Sequence, residues 1–200
     1  MQAIIFDLGE VLYRLDEKKL VECFAKKSLT EINAFYYKKI ENQIHNYEKG
    51  IIETAEFIRK VNNILNKKIS KEEFSECWNA LLKGFIQENV EFILKLQHKY
   101  NIFIMSNINS LHYEHIKKEK LFGKLKTIKM YLSHFEKMRK PEPEFFYKIL
   151  NENHLIPSKT LFIDDNYQNI KTAMNLGIKT ILLENPYLLI KKVKKYLSQK

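Results

Sequence analysis

Cysteine is scarce: the 200-residue chain has two, Cys23 and Cys77. They form no CxxC pair, so the sequence predicts two ordinary thiols and a reducing compartment. No apolar run reaches the roughly 18 residues of a membrane span. The first residues, Met1-Gln2-Ala3-Ile4-Ile5-Phe6-Asp7, lack the basic patch and long apolar stretch of a signal peptide. The expectation is therefore a cytoplasmic protein with no membrane partner. Arginine is also rare: only Arg14, Arg59 and Arg139 occur among 34 basic residues. Nucleic-acid readers lean on Arg for bidentate and stacking contacts. The net charge of +10 thus reads as a solvated lysine surface, whose field would favour anionic metabolites. The one modest lysine cluster is Lys191, Lys192, Lys194 and Lys195. No nucleic-acid partner is expected, and the oligomeric state is not legible.

Apolar residues make up 45% of the chain and charged residues 29%, which excludes bulk disorder. A chain of this length buries roughly 70% of its unfolded surface and folds without a metal or disulfide. Ala3-Ile4-Ile5-Phe6 reads as a short buried strand ending at Asp7. Residues 16–84 carry no comparable strand and read as successive helices. Thr30 and Ser70 are candidate N-caps, and Ser70 with Glu73 fits a capping box. Gly50 interrupts the block and Gly84 closes it.

After Gly84, strands and helices alternate. The strands are Ile102–Met105, Ile128–Leu132, Leu161–Ile163 and Ile178–Leu182, with Gly177 suited to the C-cap of the helix before the last one. This alternation predicts an α/β fold: a Rossmann-like parallel sheet with helices on both faces and an inserted helical cap. The expected core is 1–13 and 87–200, with the cap at 14–86.

Ligands in such sheets bind beyond the carboxyl ends of the strands. Asp7, Ser106-Asn107, Lys140 and Asp164-Asp165 follow the strands and should converge there. Paired carboxylates without Cys or His partners suit a hard cation with oxygen ligands, Mg²⁺ above all. Lys140 and Ser106 would serve a phosphate, and an Asp can itself be the nucleophile.

Four ordered segments carry a resemblance. They are Ile5-Phe6-Asp7-Leu8-Gly9-Glu10-Val11-Leu12, Met105-Ser106-Asn107, Arg139-Lys140-Pro141-Glu142-Pro143 and Phe162-Ile163-Asp164-Asp165-Asn166. Together they resemble the motifs of the haloacid dehalogenase-like (HAD) superfamily. Tyr131-Leu132-Ser133, Phe74-Ser75 and Trp78 add likeness to its bacterial α-D-glucose-1-phosphate phosphatase branch. The resemblance implies that Asp7 is nucleophile and Mg²⁺ ligand, with the carbonyl of Gly9 as another ligand. Ser106 and the Asn107 amide would hold phosphate oxygens. Lys140 would bridge nucleophile and phosphate. Asp165 would bind Mg²⁺ directly, with Asp164 beside it, through water.

The implied activity is Mg²⁺-dependent hydrolysis of a small phosphate monoester, a sugar phosphate, through an aspartyl-phosphate. Gly9 departs from the family: its phosphatases usually carry a second Asp there as general acid/base. Loss of such a group is worth about 10²- to 10⁴-fold in rate, or about 3–5 kcal/mol. A good leaving group needs less acid help. Glu10 is a candidate substitute, against a loop-capping role. Rival readings are a metal-independent dehalogenase, and a weakened relative that binds a phosphorylated ligand or a protein. In the cap, His45, Tyr47 and Glu48 precede Gly50 and are candidate substrate contacts, while Trp78 reads as cap packing. His112, His115 and His134 show no zinc-ligand spacing.

Overall fold

The computed structural model describes residues 1–28 and 34–199. The candidate cap at Thr30 lies outside the described residues. Seven strands and eleven α-helices occur among them. Five strands form the parallel sheet that the alternation predicts: β1 (Ala3–Phe6), β4 (Asn101–Ser106), β5 (Lys129–Leu132), β6 (Thr160–Asp164) and β7 (Lys179–Leu182), in the order β5-β4-β1-β6-β7. Side chains alternate across a strand. Ile4 and Phe6 of β1 therefore enter one core with Ile104 and Ile163. Ala3 and Ile5 enter the other with Phe103 and Phe162.

Helices cover both faces. On the first lie α5 (Gln87–Leu96), α6 (Ser110–Ile116), α7 (Lys120–Lys124) and α11 (Leu189–Ser198), through Val90, Ile116, Phe122 and Val193. On the second lie α9 (Pro143–Glu152) and α10 (Tyr167–Asn175), through Phe145, Phe146, Ile170 and Ala173. Gly177 ends α10 with φ +77°, the left-handed geometry that favours glycine. One short helix, α8 (Ser133–Glu136), follows β5 directly.

Between β1 and β4 come α1 (Glu17–Ser28), α2 (Ala34–Glu48), α3 (Thr54–Leu65) and α4 (Lys71–Asn79). They build a core of their own around Phe24, Tyr47, Phe57, Phe74 and Trp78. The capping box at the start of α4 is present: Ser70 Oγ accepts from the Glu73 N–H, and Glu73 Oε2 accepts from the Ser70 N–H.

Two expectations are corrected here. The 16–84 block is not all helix. It ends in β3 (Leu82–Phe85), which pairs with β2 (Tyr13–Leu15), just ahead of the block, in an antiparallel ribbon where the chain leaves and re-enters the sheet domain. Strands of three and four residues are too short to show an alternating pattern. The second correction concerns the cysteines. Cys23 on α1 and Cys77 on α4 are joined in a disulfide, because the two helices pack side by side. The cysteine argument for a reducing compartment therefore falls. Among the described residues no helix is long and apolar enough to cross a membrane.

Candidate active site

The register of the sheet assembles the site. Phe6 pairs with Ile104 on one side and Ile163 on the other. The residues just beyond, Asp7, Ser106 and Asp164, therefore share one edge. The Asp7 N–H donates to the Ile163 carbonyl at 2.9 Å, which fixes where its side chain starts. Lys140 enters from the loop before α9, and the Lys140–Pro141 peptide bond is cis. Its Nζ lies 2.6 Å from Asp7 Oδ1 and 2.6 Å from Asp164 Oδ2. Lys140 is 1% exposed and Asp164 is fully buried. The lysine thus bridges two carboxylates, where the resemblance had placed it between nucleophile and phosphate.

Burial opposes the Lys140 charge, but the carboxylates of Asp164 and Asp7 outweigh it and hold the ammonium protonated. Burial, with further push from Asp164 and Asp165, raises Asp7 to about 7 despite Lys140. Partial desolvation beside the buried Asp164, together with the Asp164 charge, raises Asp165 to about 6.

Asp7, Asp164 and Asp165 bring carboxylate oxygens within 4.8 Å of one another, with no His or Cys among them. Desolvation, with only one lysine to offset three carboxylates, is why two of its members resist ionisation. An all-oxygen donor set in that condition fits a hard divalent cation. Within the set the acids differ. Asp164 is already occupied: it accepts from Lys140, from the Asn166 N–H at 2.8 Å and from Asn169 Nδ2 at 3.0 and 3.1 Å. Asp165 is exposed at the rim.

Ser106 ends β4 and is buried. The Asn107 carboxamide is committed to the main chain of Lys140. Only the main-chain N–H of Asn107 is then available to an anion. Gly9 sits in a tight turn in which the Leu12 and Tyr13 N–H groups both donate to the Leu8 carbonyl. Glu10 takes the loop-capping role. Its Oε1 accepts from the Leu15 N–H at 2.5 Å, and it pairs with Arg14 at 3.1 Å.

The cap candidates separate. His45 stands beside Glu41, 4.0 Å away. Tyr47 is buried and bonds Thr54, Ser110 and the Leu111 N–H. Glu48 is pushed above the usual carboxylate range by burial, partly offset by Arg139, which it meets at 3.0 Å. Trp78 packs in the cap, stacked on Phe74 and on His112. Burial drives the His112 imidazole down to about 4. No histidine joins an acidic or thiol cluster among the described residues.

Sequence reasoning missed Asn169 and the Glu48–Arg139 pair. The first had a signal: it lies five residues after Asp164, at the spacing of a strand end followed by a helical turn. The second joins residues 91 apart and had none.

A model of the haloacid dehalogenase-like hydrolase family matches residues 4–183. The D-ribitol-5-phosphate phosphatase of Bacteroides thetaiotaomicron is 28% identical over 188 residues, or 91% of each chain. That name points to ribitol 5-phosphate, not to the glucose 1-phosphate of the expected branch. A HAD-family enzyme of the same species, solved with magnesium and inorganic phosphate, is 31% identical. It covers 90% of this chain and 93% of its own with a TM-score of 0.76. A HAD-like hydrolase of Porphyromonas gingivalis, at 23% identity, shares the fold with a TM-score of 0.84 over 98% of both chains. The match runs from the first strand to the last and takes in all four segments around the acidic cluster: the chain belongs to the haloacid dehalogenase-like hydrolase family.

Proposed function

We propose that this hydrolase is a Mg²⁺-dependent phosphatase acting on a small phosphate monoester through an aspartyl-phosphate on Asp7. The observation that carries it is Asp7 itself, a carboxylate at the end of β1 held 2.6 Å from a buried lysine beside two further acids. Residues 14–86 serve as the cap of a core made by 1–13 and 87–200, and sequester the reaction from water.

Asp7, the Gly9 carbonyl and Asp165 would hold the cation directly, with Asp164 behind them through water. The chemistry it supplies is neutralisation of the carboxylates and of the phosphate charge. Ser106 and the Asn107 N–H orient the phosphate, and Lys140 adds a fixed positive charge beside the nucleophile. An Asp7 oxygen attacks phosphorus in line. The bond from phosphorus to the ester oxygen breaks, and the alcohol leaves with its electron pair. Gly9 offers no proton, so the leaving group takes one from water. A second water then attacks the aspartyl-phosphate, freeing phosphate and restoring Asp7.

The acidic cluster favours this reading over a metal-independent dehalogenase, which has no use for three converging carboxylates. A second reading, a phosphoester-binding relative with weak turnover, is favoured by Gly9. The sugar-phosphate expectation draws on the ribitol-phosphate relative. A cytoplasmic location, where phosphorylated metabolites are made, belongs to the same proposal, with the Cys23–Cys77 cross-link standing against it.

Phosphate release from a panel of sugar 1- and 6-phosphates, ribitol 5-phosphate and nucleotides tests the proposal, with Mg²⁺ and with EDTA. Release should vanish with EDTA and in Asp7→Asn. Release that survives either change would overturn the mechanism. No release from a folded, Mg²⁺-binding protein would hand the lead to the second reading.

A further inference from the structure

The catalytic loops open onto a cavity of about 610 Å³ under the cap, within the roughly 300–1,000 Å³ usual for ligand sites. Gly9, Ser106 and Asn107 line it, so it is continuous with the phosphate end of the site. The rest of its wall is mostly apolar. Val21, Phe24, Ile44, Val61, Phe74 and Trp78 face it from all four cap helices. Most of its polar residues are already committed. Asn109 and His112 bond each other, and His112 Nε2 meets the Trp78 carbonyl at 3.0 Å. Glu48 is paired with Arg139.

Trp78 is 7% exposed, and its Nε1–H is shut away from solvent with no hydrogen-bond partner among the described residues. The cavity therefore has an aromatic and aliphatic wall and reaches Gly9, Ser106 and Asn107, in the loops beside the nucleophile.

We infer, resting on the phosphatase reading, that the alcohol half of the substrate is an apolar ring system esterified through a phenol-type oxygen. Two independent features converge on this class. The first is the wall. A polyol would bring a row of hydroxyls into a space that offers few partners among the described residues. Each one left unpaired costs about tenfold in affinity. A ring instead meets the partly exposed Leu15, Leu20, Leu81 and Leu82 of the wall without leaving a polar group unpaired. The second is Gly9. A phenol has an ordinary pKa near ~10, so it leaves as its anion more readily than an aliphatic alcohol and depends less on the missing acid.

The test measures phosphate release by the full chain with Mg²⁺ from phenyl phosphate, 2-naphthyl phosphate, D-ribitol 5-phosphate and glucose 1-phosphate. Phenyl and naphthyl esters have nearly the same leaving group, so the gain between them reads the cavity, not intrinsic reactivity. The expected gain in kcat/KM for naphthyl over phenyl is about 10- to 100-fold, from the added apolar area. Val21 is 38% exposed at the wall, so Val21→Asn should fold and should shrink that gain.

Trp78 is the only tryptophan, so its fluorescence reports occupancy without turnover. Benzylphosphonate, which is not hydrolysed, should change it, and inorganic phosphate alone should not. Equal kcat/KM for the two aryl esters, or a preference for the polyol phosphates, would overturn the inference and leave the phosphatase reading standing. A Trp78 response with no ester hydrolysed would uphold the cavity's ligand class and sink the phosphatase reading. No response and no hydrolysis would sink both.

Discussion

Asn107 holds the main chain of Lys140 from both sides. Its Oδ1 accepts from the Lys140 N–H at 2.8 Å, and its Nδ2 donates to the Lys140 carbonyl at 2.8 Å. The residue that directly follows β4 thereby fixes the entry of a lysine 33 positions later. A lysine side chain has many rotamers, and its charge acts at the right oxygen only if its root is anchored.

Asn107→Ala removes both bonds and leaves the main-chain amide of residue 107 in place. Loss of two hydrogen bonds should cost about 1–3 kcal/mol in stability. The larger effect should be on turnover. A misplacement of about 1 Å at a reacting centre can cost about 10²-fold, so kcat should fall by that order with KM for the ester little changed. A rise in KM with kcat intact would place Asn107 in phosphate binding instead.

The raised carboxylates predict how magnesium and pH combine. A carboxylate whose folded pKa lies above its ordinary value, about 4, favours the folded state at low pH and loses that advantage as pH rises through the folded pKa. For Asp7 that limit is about 7, and for Asp165 about 6. Without a divalent cation this cluster should therefore weaken the fold between about pH 4 and 7. A cation binds the ionised acids, so it reverses the loss where they are ionised. The rise in Tm on adding Mg²⁺ should be small near pH 5 and large near pH 8. Thermal melts across that range, with Asp7→Asn as control, check it. A Mg²⁺ shift equal at both ends would show that these acids do not hold the ion.

Asp7, Ser106, Asp164 and Asp165 were legible in the sequence for a topological reason. Each ends or directly follows a short apolar run, and a parallel sheet gathers the carboxyl ends of its strands on one edge. The whole core follows from the same alternation. What stayed hidden depends on three-dimensional adjacency with no local signal. Cys23 and Cys77, 54 residues apart, meet only because α1 and α4 pack together. The β2–β3 ribbon is too short to announce itself. The cavity wall was hidden for a further reason. Phe74 and Trp78 sit at helical spacing that reads as cap core, and they do pack there. That they also face the site depends on how the cap helices lean, which no spacing encodes.

Gly50 should be intolerant of any side chain. Its φ is +60°, and an added Cβ would lie inside van der Waals contact of the His134 carbonyl oxygen. The close approach serves a docking point. Lys137 Nζ donates to the Gly50 carbonyl at 2.6 Å, Ser133 Oγ to the Glu48 carbonyl at 2.6 Å, and Lys49 pairs with Glu142 at 2.8 Å. Together they pin the end of α2 to the loop that carries Lys140. Gly50→Ala should cost at least about 1–3 kcal/mol from the backbone alone, at about 2–4 °C of Tm per kcal/mol for a chain of this size. It should also lower kcat/KM by loosening the pinned segment. Gly123 in α7 has open space around it, so Gly123→Ala should be neutral or slightly stabilising. Equal melting of the two variants would refute the docking role.

The last prediction concerns the position where this chain departs from most phosphatases of its family. Gly9 does not need to be glycine for its backbone: its φ is not among the positive ones. An added Cβ would meet only Leu15 Cδ1, at 3.3 Å, the far end of a flexible side chain. A shift of a few tenths of an ångström accommodates it, so Gly9→Asp should fold with little loss. The new carboxylate would enter the cavity wall beside the nucleophile, where a proton donor serves the leaving group. General acid help is worth about 10²- to 10⁴-fold where the leaving group needs it. The gain should therefore appear with alkyl phosphates such as ribitol 5-phosphate, and be much smaller with phenyl phosphate, whose phenolate departs unaided. The check is kcat for both esters in the variant and the parent with saturating Mg²⁺. A gain confined to the alkyl ester would identify position 9 as the place where the acid is missing. A uniform fall would mean that the added charge repels the phosphate more than it helps the alcohol leave.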